Sequence, residues 1–133
     1  MIKKLEIQTI SEKILGKHKI DPSKDFYLKL TMPPYMDLVL ERNDDIILVG
    51  HYREENEDLI SDPVLALHDI DGYWYPIRIE LYLGDTVCSF MQDGKRMICP
   101  DRIKEFKTFQ RMFARNIREQ GWAENGEMVK IKK

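Results

Sequence analysis

The stretch FYLKLTMPPYMDLVLERNDDIILVGH, residues Phe26 to His51, decides the fold. Phe26, Leu28, Leu30 and Met32 alternate with Tyr27, Lys29 and Thr31, the period of two expected of a strand with one buried face. Pro33-Pro34-Tyr35 turns the chain. Met36, Leu38 and Leu40 then alternate with Asp37 and Glu41, and Asn43-Asp44-Asp45 leads into a third strand, Ile46 to His51. Connections this short force antiparallel pairing, because a parallel crossover takes a dozen residues or more. The stretch predicts a meander.

Downstream the same rhythm continues. A polar loop follows His51, Val64 to Ile70 reads as a fourth strand, and Asp71-Gly72 is a strong hairpin signal before a fifth from Tyr73 to Leu83. Gly84-Asp85 precedes Thr86 to Met91, and Asp93-Gly94 precedes a short run, Arg96 to Cys99. In the fifth strand, alternation assigns Tyr73, Tyr75, Ile77, Ile79 and Leu81 to the core. Trp74, Pro76, Arg78, Glu80 and Tyr82 fall on the opposite, amphipathic face, where Trp74 is a candidate binding residue. Pro76 lacks a ladder donor and predicts an edge or a bulge.

The period changes on both flanks. Before the sheet, Ile7, Ile10, Ile14 and Leu15 recur at three and four, predicting a helix over residues 3–16 that Gly16 stops. After it, Ile103, Phe106, Phe109, Phe113 and Ile117 form the apolar stripe of a helix from Arg102 to about Gln120, capped by Asp101 and ended by Gly121. Residues 123–133 are polar and read as a loose tail. The expected architecture is an α+β domain, 1–133, with an antiparallel meander sheet of six to seven strands over about 26–99 and both helices packed on one face.

Composition sets limits. The 133 residues are 43% hydrophobic and 33% charged, with 21 basic and 23 acidic side chains. A chain of this length can bury a core without disulfides or structural zinc. No stretch approaches the ~18 apolar residues of a membrane span, and the N-terminus carries charges where a signal peptide needs an apolar core, so the cytoplasm is expected. Cys88 and Cys99 show no zinc-ligand spacing and read as thiols that pack as small hydrophobes.

The near-zero net charge conceals segregation. Residues 101–133 hold nine basic and five acidic side chains, a balance of +4, whereas residues 1–100 hold 12 and 18, a balance of −6. Lys104, Lys107, Arg111, Arg115 and Arg118 recur at 3, 4, 4 and 3 and fall within about 80° of the helix circumference. Such a stripe can dock an acidic protein surface or track phosphates. It is equally what a solvated helix face collects, and it could offset the acidic loop.

That loop, His51 to Pro63, places Glu54, Glu55, Glu57, Asp58 and Asp62 together without a basic residue among them. Oxygen-rich clusters hold hard cations, and a histidine beside carboxylates can move protons. The alternation of a calcium loop is absent, however, and the segment reads first as a hairpin connection with its acidic side chains pointing to water, in which Asn56 and Asp58 suit backbone-capping turns. His18 follows a helix end, and His68 lies in a strand on the side of Val64 and Ala66. No nucleophile elbow, P-loop, dinucleotide or zinc-protease motif occurs, and no cofactor is implied.

The sequence resembles a small bacterial and archaeal domain family of unknown function, often found near mobile elements. The resemblance rests on Met36-Asp37-Leu38-Val39-Leu40-Glu41, His51-Tyr52, Asn56, Asp58-Leu59, Asp62-Pro63, Trp74-Tyr75-Pro76 and the ending Phe113 to Gly121. It spans about residues 26–122 and leaves the first helix outside. It implies interest in His51, Asn56, Asp58 and Asp62 but carries no activity with it.

Three readings follow. The leading one is a noncatalytic interaction or regulatory domain that presents the basic helix face or the Trp74 strand face to a macromolecule, protein rather than nucleic acid and without a membrane, with a strand edge open to a second copy. The second is a metal-assisted hydrolase or nuclease using His51, Asp58 and Asp62. The third is nucleic-acid binding through the basic stripe.

Overall fold

The computed structural model describes residues 3–132. It has the expected α+β architecture. Helix α1 (Glu6–Lys17) precedes strands β1 (Phe26–Met32), β2 (Tyr35–Asn43), β3 (Ile46–Glu55), β4 (Asp58–Ile70), β5 (Tyr73–Leu81) and β6 (Gly84–Val87). A separate ribbon of β7 (Ser89–Gln92) and β8 (Lys95–Ile98) leads to α2 (Pro100–Gln120), a single turn α3 (Trp122–Asn125) and β9 (Glu127–Lys132). The main sheet runs β6-β5-β4-β3-β2-β1-β9 with every pair antiparallel. Among the described residues no helix is long and apolar enough to cross a membrane.

The core lies between the sheet and the helices. Ile7, Ile14 and Leu15 of α1 and Phe106, Phe113 and Ile117 of α2 meet Leu28, Leu30, Leu38, Leu40, Ile47 and Leu65, all from one face of the sheet. Two buried glutamines position the helices. Gln8 donates through Nε2 to the Gly72 carbonyl at 2.8 Å and accepts the Trp74 N–H at 3.0 Å, tying α1 to the β4–β5 turn. The side chain of Gln110 in α2 caps α1, its Oε1 accepting the Ile7 N–H at 2.9 Å, one of the donors a helix start leaves without an intrahelical partner.

Several expectations need correction. Strands β3 and β4 run beyond the expected bounds into the acidic segment after His51, which is the expected hairpin connection: Asn56 and Glu57 take φ of 53° and 70°, the left-handed pair of a tight turn, and Glu54 pairs with Leu59 across it. The run Thr86 to Met91 breaks at Cys88, whose N–H bonds the Ile77 carbonyl at 2.7 Å while its carbonyl accepts the Cys99 N–H at 2.9 Å. This passes the chain from sheet to ribbon. Cys88 and Cys99 are free thiols, and burial pushes the Cys88 thiol up to about 11.

Pro76 does mark a bulge. Ala66 pairs with Arg78 and Leu67 with Pro76, leaving Ile77 over, so the alternation reverses parity and Trp74 turns into the core at 1% exposure. Trp74 therefore lies on the core side rather than on the exposed face expected of it. Strand β6 covers only Arg78 to Leu81 on the far side of β5, and beyond its end the Pro76 carbonyl accepts from Ser89 Oγ.

Residues 123–132 of the expected tail form structure as well, and Lys133 lies outside the described residues. Trp122 is fully buried and β9 pairs with β1 from Thr31↔Glu127 to Tyr27↔Lys132. Helix α1 ends beyond Gly16 on left-handed Lys19 (φ 58°), with the Ile20 N–H reaching back to the Leu15 carbonyl. At the start of α2, Cys99 occupies the cap position without a side-chain bond and Asp101 lies in the first turn. Gly121 ends α2 in the left-handed region, as expected.

Candidate functional site

Between β3 and β4 the register slips: Gly50 pairs with Val64, but Tyr52 pairs with Ser61, so His51 faces two residues, Asp62 and Pro63. Bulges re-aim side chains, and this one, whose extra residue lies in β4, sets Asp62 as well as Pro63 opposite His51. His51 itself faces the helices by the plain alternation of Ile47, Val49 and His51 along β3. Close approach of the strands requires Gly50, since a Cβ there would sit 2.2 Å from the Pro63 carbonyl oxygen and 2.5 Å from the Val64 Cα.

The His51 ring stands edge-on to Phe113 at 5.6 Å and lies 5.8 Å from Trp122. Its Nδ1–H donates to the Asp37 carbonyl at 3.1 Å, because a carbonyl can only accept. Burial holds the imidazole below its ordinary value, outweighing the carbonyls of Asp37 and Met36 and the carboxylates of Asp37 and Asp62, which favour the charged form. The buried ring is thus neutral at pH 7.

Helix α2 closes the other side and makes a groove of about 370 Å³. Met36, Leu81, Phe109 and Met112 supply its apolar walls, and His51, Asp62, Asn116 and Gln120 its polar ones. Gln120 is engaged with the Trp122 indole N–H at 2.9 Å. Of the predicted cluster, the groove gathers His51 and Asp62 only. Asn56 and Asp58 sit exposed at the hairpin tip, four strand residues or roughly 13 Å further on. Among the described residues no three His, Cys, Asp or Glu side chains are placed to hold a metal ion, so His51, Asp58 and Asp62 do not assemble the centre the hydrolase reading needs.

The cationic stripe is where the helical period puts it. Lys104, Lys107, Arg111, Arg115 and Arg118 are all exposed. Arg111 pairs with Glu6 at 3.1 Å, and the other four form no ion pair among the described residues. The acidic hairpin does not neutralise them; its one ion pair is local, Arg53 to Glu55 at 3.4 Å. Beside the stripe a second groove, about 380 Å³, runs between α1 and α2 over Ile10 and Ala114, rimmed by Lys3, Lys13 and Arg118.

His68 has a structural task. Its Nδ1 accepts from the Arg96 guanidinium, its Nε2 lies 2.7 Å from the Asp45 carboxylate, and Arg96 also bonds Ser89 Oγ at 3.1 Å and covers the Tyr75 ring, fastening the β7–β8 ribbon to the sheet. Sequence reasoning missed the groove walls Met36, Leu81 and Met112. Met112 had a signal in the arc of α2 between its apolar and basic stripes, where Phe109, Met112 and Asn116 fall on one side; Met36 of β2 and Leu81 of β5 had none.

A family model described as a domain of unknown function (DUF6908) matches residues 6–123. No curated protein and no solved structure matches the chain. The match begins in α1, so the first helix lies inside the family unit rather than outside it.

Proposed function

The chain belongs to that family of domains of unknown function, and from its geometry we propose that it is a noncatalytic interaction domain that docks an acidic segment of a partner protein on the outer face of its helical layer. One observation carries this reading: Lys104, Lys107, Arg115 and Arg118 stand exposed on α2 without an ion-pair partner among the described residues, beside a groove with an apolar floor. Four uncompensated cations raise the local potential for an acidic partner, and an apolar floor offers burial that a phosphate backbone cannot use. The layer also displays Glu6, Glu12 and Glu124 among its cations, and the whole chain is net −2, both unfavourable to nucleic acid. The resemblance drawn from the His51 and Trp74 motifs adds a bacterial or archaeal setting near mobile elements to this proposal.

The test is titration of the protein with an acidic amphipathic peptide and with a 20-base-pair DNA duplex, at low and high salt. Peptide binding that weakens with salt and is lost in Arg115→Glu/Arg118→Glu supports the reading. No binding at low salt, or equal binding by the variant, overturns it, and preferential binding of the duplex transfers the stripe to nucleic acid.

A further inference from the structure

On the flank of α2 away from α1, we infer that the groove between His51, Asp62 and α2 is a receptor for an arginine side chain of a partner protein. The lining contains one formal charge, the Asp62 carboxylate, which forms no ion pair and accepts no hydrogen bond from the described residues. The rest of the lining is mostly apolar and aromatic, with His51, Asn116 and Gln120 as its neutral polar groups. Met36, Leu81 and Met112 form a rim that is 39%, 39% and 44% exposed, with Phe109 behind it.

Charge and shape select the occupant together. A lone carboxylate in an apolar slot of about 370 Å³ favours a cation and penalises an anion. The apolar walls match a long aliphatic stem, and methionines adapt to it. A guanidinium meets a carboxylate with two parallel N–H bonds and stacks on aromatic faces, which an ammonium does not. His51 does not compete for Asp62 as a cation: it is neutral, and its Nδ1–H is committed to the Asp37 carbonyl. Arg53, two residues beyond His51 on β3, is turned to Glu55 and to the Tyr82 ring at 4.7 Å. The exposed Asn116 amide, in the same lining and without a hydrogen bond among the described residues, is available to the backbone of the same segment.

The probe is Nα-acetyl-arginine methylamide, titrated into the intact protein and followed by backbone amide shifts, with the norleucine analogue as the uncharged control. Saturable shifts centred on Asp62, Phe109 and Asn116, with the norleucine analogue weaker by about tenfold or more, are expected. Asp62→Asn should abolish the preference. Because that residue sits in a bulge, Met112→Lys provides a second variant: it brings an internal cation to the rim and should also abolish arginine binding while the protein stays folded. Arg115→Glu/Arg118→Glu should leave it unchanged, which separates this site from the cationic face. Equal shifts from both compounds, or undiminished arginine binding in folded Asp62→Asn or Met112→Lys, would overturn the inference.

Discussion

Gly50 shows how a single position sets the site. Its need is space, not unusual dihedral freedom, since a methyl group would meet the backbone of Pro63 and Val64 rather than a side chain that could swing away. Gly50→Ala should cost about 3 kcal/mol or more in urea unfolding, because one of the two strands must move. Lys19 is the opposite case. It closes α1 in the left-handed region at φ 58°, where a side chain is strained, so Lys19→Gly should stabilise the fold by about 0.5–1 kcal/mol. His51 predicts a pH dependence. Its folded pKa is lowered by burial, so the unfolded chain binds the proton more readily and the stabilisation, complete above about pH 6.5, is lost as pH falls from there toward the folded value. Glu6 is held low by the Gln110 amide and Asp45 by His68, and both act nearer the carboxylate range. Between pH 7.5 and 5.5 the unfolding free energy should therefore decline with acid, and His51→Gln should flatten the decline; an unchanged slope would contradict the burial argument.

At the scale of elements, α2 separates packing from charge. Phe106 is fully buried between helix and sheet, so Phe106→Ala should cost about 3–5 kcal/mol, whereas exposed Arg115→Ala should stay within about 0.5 kcal/mol. Chemical denaturation of the two variants side by side checks the face assignment, and equal losses would refute it. The same helix explains what was legible beforehand: its two stripes are periodic, and periodicity survives tertiary context. Turns were legible where residue type dictates dihedral sign, as at Asp71-Gly72 and Asp93-Gly94, all four of which have positive φ. Asn56-Glu57 was not, since nothing in a glutamate announces a φ of 70°. Trp74 was placed on the wrong face because one extra residue at Ile77 inverts every parity beyond it, and the proline that signals a bulge does not say which side keeps its register.

Across the whole molecule the chain ends are where sequence reading stops, because their structure comes from distant partners. Ile7 and Gln110 are 103 positions apart, and β9 owes its existence to the open edge of β1. The register shift between Lys29 and Leu30 in that pairing breaks the alternation that would have marked Glu127–Lys132 as a strand. For the candidate site, His51, Asp62 and Pro63 were legible as a motif and the cations as a stripe, but the groove needs β2, β3, β4, β5 and α2 to meet, which no local pattern records. The ends also make the sheet and the helical layer one unit: β9 covers the edge of β1, and Trp122, just before it, packs against His51. Ending the chain after Asn125 removes β9 while keeping Trp122. Tyr27, Lys29 and Thr31 then lose their outer strand partner, and the main chain of β1 becomes a free edge, for a cost on the order of 3 kcal/mol at about 1 kcal/mol per net hydrogen bond. Amide exchange distinguishes a local loss from a global one. If the layers are coupled as the Gln110 cap and the Trp122–His51 contact imply, protection should fall in α2 and β3 as well as in β1, whereas faster exchange confined to β1 would mean that the last strand is an appendage to a fold complete without it.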